Sequence, residues 1–220
     1  MYNRLIAILL FLLLLPILVF IAFIVVVSSG MPIIYTATRG GYHFKEFKMF
    51  KFRTMYQNAG SDLTAYNDNR ITKVGVFLRK FKLDELVQLV NIIKGDMNFI
   101  GPRPEVMRIV NKNKNAFRYL NIIKPGITDI SSIIFKNESN VLKKIDISEY
   151  EKDILPIKIR LVNVLIEKKY FLNEMVLFVV TLISLINHSV AIYIIKYFFL
   201  NDLEIEFRIK LNHILSKNFF

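Results

Sequence analysis

The chain has 220 residues, which is room for one catalytic domain and an appendage, since a single domain commonly has about 100 to 200 residues. Hydrophobic residues make up 54% of it and the mean hydropathy is +0.40, which is too apolar for an ordinary soluble domain. The chain has no cysteine, which excludes disulfides, zinc–cysteine clusters and a thiol nucleophile. A formal net charge of +12 favours anionic partners: lipid headgroups, phosphorylated substrates or nucleic acid.

The first predicted element is an apolar helix near the N-terminus. Residues 5–27 form an unbroken run of 23 uncharged residues, which at about 1.5 Å per residue is long enough for a hydrocarbon core of about 30 Å. The run is longer than the apolar part of a signal peptide, so we expect it in the mature protein. Pro16 lies near its middle, where it removes a helical hydrogen bond and predicts a bend.

Basic residues lie on both sides of this apolar run. Arg4 precedes it, and five more follow it: Arg39, Lys45, Lys48, Lys51 and Arg53. Because cytoplasmic flanks of membrane helices are rich in Lys and Arg, charge at both ends favours a re-entrant helix. Such a helix enters the membrane, is broken at Pro16 and leaves by the same face. A single straight crossing is the alternative.

Aromatic and basic residues alternate in residues 44–55 (FKEFKMFKFRTM), which predicts a strand or an extended segment at the level of the lipid headgroups. The same alternation can stack nucleic-acid bases. A chain with a long membrane segment lies beside lipid, however, so we expect no nucleic-acid partner. Residues 56–70 are polar and rich in turn-forming residues, and they predict a mobile loop.

Two carboxylates, Asp84 and Glu85, open the next predicted helix, which Gly95 ends. The apolar residues of this helix recur at positions i, i+3, i+4 and i+7: Leu86, Leu89, Val90 and Ile93. Acidic residues at a helix N-terminus complement the helix dipole, which is a sufficient structural reason for their presence.

Nearby cations give the carboxylate pair a chemical alternative. Arg79 lies a few residues upstream and Lys51 belongs to the preceding basic segment, so we expect the carboxylates to lie among cations that keep them ionised. An ionised Asp can attack an electrophilic phosphorus and form an acyl phosphate. A neighbouring Glu can hold Mg²⁺, which suits one or two carboxylates together with substrate phosphates.

Arg103 lies between two prolines in residues 101–105 (GPRPE). Pro102 and Pro104 stiffen the backbone, which leaves the planar guanidinium of Arg103 preorganised for a phosphate group. A turn with a solvated Arg side chain is the alternative interpretation.

The second half of the chain begins with a predicted turn at residues 124–129 (KPGITD), a short strand at 131–135 and a charged helix from about 148 to 169. The apolar run at 175–186 is short for a span and is followed by a polar notch at 187–189 before apolar residues resume. We therefore predict two helices lying in the membrane interface, with a second full span as the alternative.

Taken in order, these motifs resemble the bacterial sugar transferases, the monotopic phosphoglycosyl transferases that prime glycan assembly on polyprenyl phosphate. The resemblance covers roughly residues 4–130 and depends on the order of motifs that are individually weak. The motifs are the apolar helix with Pro16, KFRTM at 51–55, RITKVGVFLRK at 70–80, LDEL at 83–86, QLVNIIKGDMNFIGPRPE at 88–105 and KPGIT at 124–128.

The resemblance implies a two-step reaction. Asp84 matches the family's nucleophile, which attacks the β-phosphate of a UDP-sugar and releases UMP before polyprenyl phosphate takes over the sugar 1-phosphate. Glu85 matches the second catalytic carboxylate, which is associated with Mg²⁺. Arg103 matches the Arg of the family's phosphate-binding element, and Lys51 and Arg79 match further basic positions for substrate phosphate.

The predicted fold is α/β in the α+β sense, mainly helical with a small sheet, with a re-entrant N-terminal helix and interfacial helices. We expect a membrane-embedded helix in residues 1–35, a cytoplasmic catalytic domain in 36–172 and an apolar or amphipathic membrane-associated segment in 173–220. The resemblance implies the bacterial inner (cytoplasmic) membrane, with the catalytic domain facing the cytoplasm. The expected partners are a UDP-sugar, polyprenyl phosphate and membrane lipid, and homo-oligomerisation is left open.

Several positions depart from the family pattern, among them Leu15 and Asp129. Leu15 precedes the membrane proline where the family often has Ser, and Asp129 follows KPGIT where the family usually continues with Gly. The departure at Asp129 affects the contact that the loop at 124–129 makes with the sugar or the uridine in the family. A non-catalytic or degenerate membrane scaffold that binds anionic lipid is therefore the alternative function.

Overall fold

The computed structural model describes residues 2–56, 70–136, 150–168 and 171–218. In these ranges the chain is mainly helical with two small two-stranded sheets, so the predicted fold class is confirmed. The helices are α1 Tyr2–Ser29, α2 Lys73–Lys80, α3 Leu89–Lys94, α4 Met107–Lys112, α5 Ile130–Ile134, α6 Leu155–Glu167, α7 Phe171–Ile186, α8 His188–Ile195 and α9 Ile205–Asn218. The strands are β1 Ile34–Gly40, β2 Glu46–Phe52, β3 Asn98–Ile100 and β4 Gly126–Thr128.

Helix α1 is, among the described helices, the one long and apolar enough to cross a membrane by length and composition. One stripe of it is buried against the rest of the protein, at Ala7, Leu18, Ile21 and Val25, and most of its remaining apolar surface is exposed. Helical structure continues through Pro16, so the proline does not end the helix. Helix α1 is thus a candidate membrane segment as predicted, and its bend and re-entrant course stay predictions.

Both ends of α1 are bonded to the folded domain. At the N-terminal end Tyr2 Oη donates to Glu174 Oε2 at 2.9 Å, and Arg4 Nη2 donates to the last carbonyl of α3 at 3.1 Å. At the C-terminal end the buried guanidinium of Arg53 donates to the carbonyl groups of residues 29–31. The helix therefore lies along the domain over its whole length and does not project from it.

Strands β1 and β2 form an antiparallel hairpin, and β2 confirms the extended segment predicted at 44–55. The fully buried Asn91 of α3 joins this hairpin to the helix. Its Oδ1 accepts from Phe50 N at 3.0 Å, and its Nδ2 donates to the Lys48 carbonyl at 2.7 Å. These two bonds fix β2 against α3 and so set the position of Lys51.

Parallel strands β3 and β4 approach closely at two glycines. Gly101 N donates to the Thr128 carbonyl and Gly126 N donates to the Pro102 carbonyl, each at 3.0 Å. A β-carbon on either glycine would collide with the backbone of the other, so both positions require glycine. This contact fixes the backbone from which Arg103 extends.

The strand predicted at 131–135 is wrong, because residues 131–134 belong to helix α5 and Phe135 is its C-cap. Asp129 is the N-cap of this helix: its Oδ1 accepts from Ser132 N at 2.6 Å, and Ser132 Oγ accepts from Asp129 N at 2.8 Å. This reciprocal capping box starts a helix where the β-branched residues alone favour a strand. Asp129 therefore has a structural role at the position where it departs from the family pattern.

The C-terminal apolar segment forms two short helices, α7 and α8, as predicted, and the charged helix predicted at 148–169 is confirmed as α6. Both apolar helices are shorter than the roughly 20 residues that a span needs, and their interfacial placement stays a prediction. The inner faces of these three helices share one buried core: Leu161, Leu177, Val180, Ala191 and Ile195. The predicted domain boundaries stay predictions, and the loop predicted at 56–70 lies almost wholly outside the described residues.

Candidate active site

The carboxylate pair lies on a 3₁₀ turn, Leu83–Gln88, between α2 and α3. Asp84 and Glu85 are therefore not at the start of a regular helix as the sequence predicts. Lys82 precedes the turn in a left-handed conformation, with φ 58°, which redirects the chain after α2. The turn packs against β2, and Asp84 and Glu85 are buried, with 6% and 7% of their surfaces exposed.

Two cations hold the Glu85 carboxylate. Lys51 Nζ lies 2.7 Å and Arg103 Nη2 lies 3.1 Å from Glu85 Oε1. Burial alone would raise the pKa of Glu85, but the charges of Lys51, Lys82 and Arg103 outweigh burial and hold the pKa well below its usual range. Glu85 is thus a fixed anion that positions two of the predicted phosphate-binding side chains.

Asp84 is in a different state from its neighbour. Its Oδ1 atom is buried and has no hydrogen-bond partner in the part of the chain that the structure describes. Burial and the charge of Glu85 raise the pKa of Asp84, although Lys51, Lys82 and Arg79 lower it in part. The expectation that cations keep both acids strongly ionised is therefore correct for Glu85, whereas the pKa of Asp84 shifts in the opposite direction.

The remaining predicted residues lie at different distances from this pair. Arg79 is in the last turn of α2, where its Nε donates to Thr54 Oγ1 at 2.8 Å, and its charge offsets part of the burial-induced rise in the pKa of Asp84. Pro16 lies exposed on α1, outside the buried stripe of that helix. The structure thus brings Lys51, Glu85 and Arg103 into direct contact, with Arg79 beside Asp84.

Sequence reasoning missed two lysines around the site. Lys82 is the residue before the turn, and its only sequence signal is its closeness to the carboxylates. Lys158 is buried on α6, where its Nζ lies 2.9 Å from both Glu105 Oε1 and Tyr150 Oη. Because Glu105 follows Arg103 by two residues, this ion pair braces the segment that presents the Arg103 guanidinium.

The carboxylate pair fits Mg²⁺, which takes one or two carboxylates and completes its coordination with substrate phosphates and water. Glu85 is the carboxylate that would hold the ion, which leaves Asp84 Oδ1, a buried acceptor without a partner in the described ranges, available to react with a bound substrate. No group of three or more His, Cys, Asp or Glu side chains that could hold a metal occurs among the described residues. The donor set therefore suits an ion shared with a substrate.

These features define a class of protein: a membrane-associated α+β domain, packed along an apolar helix, whose buried carboxylates and cations suit a phosphorylated ligand. Known proteins agree with this assignment. The family described as bacterial sugar transferase matches residues 1–188. The chain belongs to the bacterial sugar transferase family.

Three relatives illustrate the similarity. The chain is 34% identical over 125 residues to the UDP-N-acetylgalactosamine-undecaprenyl-phosphate N-acetylgalactosaminephosphotransferase of Aeromonas hydrophila. The aligned region covers 54% of this chain and 30% of that protein. It is 37% identical over 131 residues to the undecaprenyl-phosphate galactose phosphotransferase of Salmonella typhimurium, and the aligned region covers 51% of this chain and 28% of that protein. It is 34% identical over 138 residues to the uncharacterized sugar transferase EpsL of Bacillus subtilis, and the aligned region covers 62% of this chain and 68% of that protein. The match thus spans less than a third of the first two relatives.

Proposed function

We propose that the protein transfers a sugar 1-phosphate from a UDP-sugar to polyprenyl phosphate, releasing UMP, as the initiating step of glycan assembly. Two relatives have names that describe undecaprenyl-phosphate sugar phosphotransferases, which supports this reaction class. The observation that carries the mechanism is the difference between two adjacent buried carboxylates. Glu85 is held by two cations, whereas Asp84 Oδ1 has no hydrogen bond from any described residue.

In the first step Asp84 Oδ1 attacks the β-phosphorus of the UDP-sugar. A bond forms between this oxygen and the phosphorus, and the bond from the phosphorus to the oxygen bridging the α-phosphate breaks. The electron pair leaves with UMP. The sugar phosphate then remains on Asp84 as an acyl phosphate.

In the second step a phosphate oxygen of polyprenyl phosphate attacks the same phosphorus. The bond between the phosphorus and Asp84 breaks, which regenerates the carboxylate. The lipid product carries the sugar through a diphosphate. Because the covalent intermediate separates the two transfers, the soluble donor and the lipid acceptor do not have to occupy the site together.

The residues around Asp84 make it reactive and position the UDP-sugar. A raised pKa makes the ionised Asp84 oxygen more basic and therefore a better nucleophile than an ordinary Asp. Glu85, with its lowered pKa, stays ionised and keeps Lys51 and Arg103 in position to receive phosphate oxygens. When bound beside Glu85, Mg²⁺ supplies further positive charge for these oxygens.

The packing of α1 supports a position of the site at the membrane surface. A straight crossing would place the two ends of α1 on opposite sides of the membrane, yet both ends are bonded to one folded domain through Tyr2 and Arg53. We therefore propose that α1 lies in one leaflet, with its exposed apolar face in lipid. The family resemblance further implies that the domain lies on the cytoplasmic side of a bacterial inner membrane.

The test of this function measures UMP release by protein purified in detergent, with Mg²⁺, a panel of UDP-sugars and undecaprenyl phosphate. We expect release with at least one donor and its loss in Asp84→Asn, which keeps the shape of the side chain and removes the nucleophile. Release of UDP would instead assign the protein to another class of transferase. Liposome binding without UMP release across the panel would support the membrane scaffold.

The covalent step has its own test, which uses the donor alone. Incubation with a UDP-sugar without lipid acceptor is expected to add the mass of one phosphosugar to the peptide that contains Asp84. The Asp84→Asn protein is the matched control. If the wild-type enzyme turns over but no modified peptide is found, direct transfer between the two substrates replaces the two-step mechanism.

A further inference from the structure

The segment that carries Arg103 is held at both ends by backbone hydrogen bonds. Before Arg103, the Pro102 carbonyl accepts from Gly126 N at 3.0 Å, which joins the segment to β4. After Arg103, the Glu105 carbonyl accepts from Gly40 N at 3.0 Å, which joins it to the end of β1. Prolines flank Arg103 on both sides and have no N–H with which to add a bond. The position of Arg103 therefore depends on the two ends of a short bridge between β4 and β1.

The side chain of Glu105 adds a contact from a distant part of the chain. Lys158 Nζ, on α6, lies 2.9 Å from Glu105 Oε1 and 2.9 Å from Tyr150 Oη. The side chains of Lys158 and Glu105 are 8% and 18% exposed, so the ion pair is largely buried. Lys158, Glu105 and Arg103 line one cavity of about 10 Å³, which is no larger than a single water molecule needs. This cavity is too small for a phosphate group, so an effect of Lys158 on a substrate passes through Glu105.

A buried ion pair contributes little to stability, because the cost of removing two charges from water offsets most of their attraction. Replacing both partners with apolar side chains of similar size is often neutral or stabilising. A charge-assisted hydrogen bond does, however, fix a distance and a direction, which apolar packing does not. What the contact between Lys158 and Glu105 supplies is therefore position, two residues from Arg103.

We propose that Lys158 is a positioning residue for the nucleotide-sugar donor: through Glu105 it fixes the segment from which Arg103 contacts the donor diphosphate. Arg103 Nη2 lies 3.1 Å from Glu85 Oε1, so the guanidinium is also placed against the carboxylate pair. A displacement of about 1 Å at such a group is enough to cost about a hundredfold in rate. This inference rests on the proposed function and adds to it a residue of α6, which lies outside the motifs on which the family resemblance depends.

The experiment separates position from stability with four proteins besides the wild type. Lys158→Met removes the cation that contacts Glu105, and Lys158→Met combined with Glu105→Leu replaces the ion pair with two apolar side chains. Lys158→Arg keeps the charge. Val164→Ala, at a fully buried residue of the same helix, is the control for lost packing. Chemical unfolding in detergent, the KM for the UDP-sugar and the Kd for UDP, measured by titration calorimetry, are determined for each protein.

We expect Lys158→Met to be less stable than the wild type and to bind UDP about tenfold more weakly, because a buried carboxylate loses its cation and Arg103 loses its position. The apolar pair is expected to regain the stability of the wild type but not its affinity for UDP. Lys158→Arg is expected to stay within about threefold of the wild type in affinity, since Arg also pairs with a carboxylate. Val164→Ala is expected to lose stability and to keep its affinity.

A double-mutant cycle with Arg103→Met tests whether Lys158 acts through this residue. If it does, the apolar pair at 158 and 105 weakens UDP binding in the wild-type background but adds no further loss when Arg103 is already replaced. A loss of the same size in both backgrounds would overturn the positioning role, because Lys158 would then act independently of the guanidinium.

The outcomes distinguish this inference from the proposed function. If the wild type binds UDP and releases UMP, and the apolar pair keeps its affinity and KM, the role of Lys158 is overturned and the function stands. Equal losses of affinity in Val164→Ala and Lys158→Met would overturn the role as well. If the wild type binds UDP but releases no UMP, the proposed function is overturned, and the UDP titration alone decides the role of Lys158. Failure of the wild type to bind UDP would overturn both.

Discussion

Lys51 Nζ lies 2.7 Å from Glu85 Oε1, so the β1–β2 hairpin is joined by an ion pair to the turn that carries Asp84. Both side chains are largely buried, with exposures of 19% and 8%. Lys51→Met removes one of the two cations of a buried carboxylate. We therefore expect a loss of about 1 to 3 kcal/mol in the free energy of unfolding and a fall in UMP release of about a hundredfold.

The control for this change is Lys51→Arg, which keeps the charge but changes the geometry of the donor. Chemical unfolding in detergent measures the stability, and initial rates of UMP release measure activity. We expect the Arg variant to retain most of the stability and part of the activity. Wild-type stability and rate in Lys51→Met would mean that the contact with Glu85 contributes to neither.

The buried side-chain amide of Asn91 on α3 fixes the position of β2 relative to this helix. It accepts from Phe50 N and donates to the Lys48 carbonyl, with Asp96 Oδ2 at 3.2 Å as a further acceptor. Asn91→Ala leaves several buried polar groups unpaired, so we expect a loss of about 2 to 4 kcal/mol in stability. The rate of UMP release is also expected to fall, because β2 carries Lys51.

Asn91→Asp separates the two contributions of this amide. It keeps the size and the acceptor of Asn91 but replaces the donor to the Lys48 carbonyl with a carboxylate oxygen, which repels the carbonyl and Asp96. We expect Asn91→Asp to be at least as unstable as Asn91→Ala. Equal stability of Asn91→Asp and the wild type would contradict the assignment of the donor bond.

The elements that follow a local pattern could be predicted from the sequence. In these elements the order of apolar and polar residues along the chain is enough to predict the structure. They are the apolar run of α1, the alternation in β2, the charged helix α6 and the interrupted apolar run of α7 and α8. Helix α5 could not be predicted this way, because its β-branched residues favour a strand and the capping box of Asp129 and Ser132 outweighs them. A capping box depends on a backbone geometry that composition does not determine.

The candidate site was predictable only in part, for a related reason. The ordered motifs named Lys51 and Glu85, which are 34 residues apart and in contact. Lys158 and Glu105 are 53 residues apart, and no periodic pattern indicates their ion pair. Charges near Asp84 in the sequence predicted a carboxylate kept ionised by cations. The sequence does not reveal burial, which is the largest influence on the pKa of Asp84 and raises it.

Asp129 provides a prediction about pH. Burial raises the pKa of its carboxyl, although hydrogen bonds from Ser132 and Ser131 lower it in part. Because the pKa is higher in the folded than in the unfolded chain, the folded protein binds this proton more tightly. The associated stability is fully present below the unfolded pKa and is lost as the pH rises through the folded pKa.

Asp129→Asn is the test, since Asn caps a helix about as well as Asp and carries no charge. We expect the variant to gain stability relative to the wild type as the pH rises through this window, by at most about 1.4 kcal/mol for each unit by which the pKa is raised. Chemical unfolding of both proteins between about pH 4 and pH 8 measures the difference. A difference that stays constant over this range would contradict the prediction.

The course of α1 through the membrane can be tested because the chain has no cysteine of its own. Since both ends of α1 are bonded to one domain, we expect Tyr2→Cys and Lys45→Cys to react with a membrane-impermeant maleimide from the same side. Intact cells and inverted vesicles give the two sides, and Asn3→Cys repeats the N-terminal test with the Tyr2–Glu174 bond retained. Labelling from opposite sides would mean that α1 crosses the bilayer, in which case the bonds at its two ends could not form together.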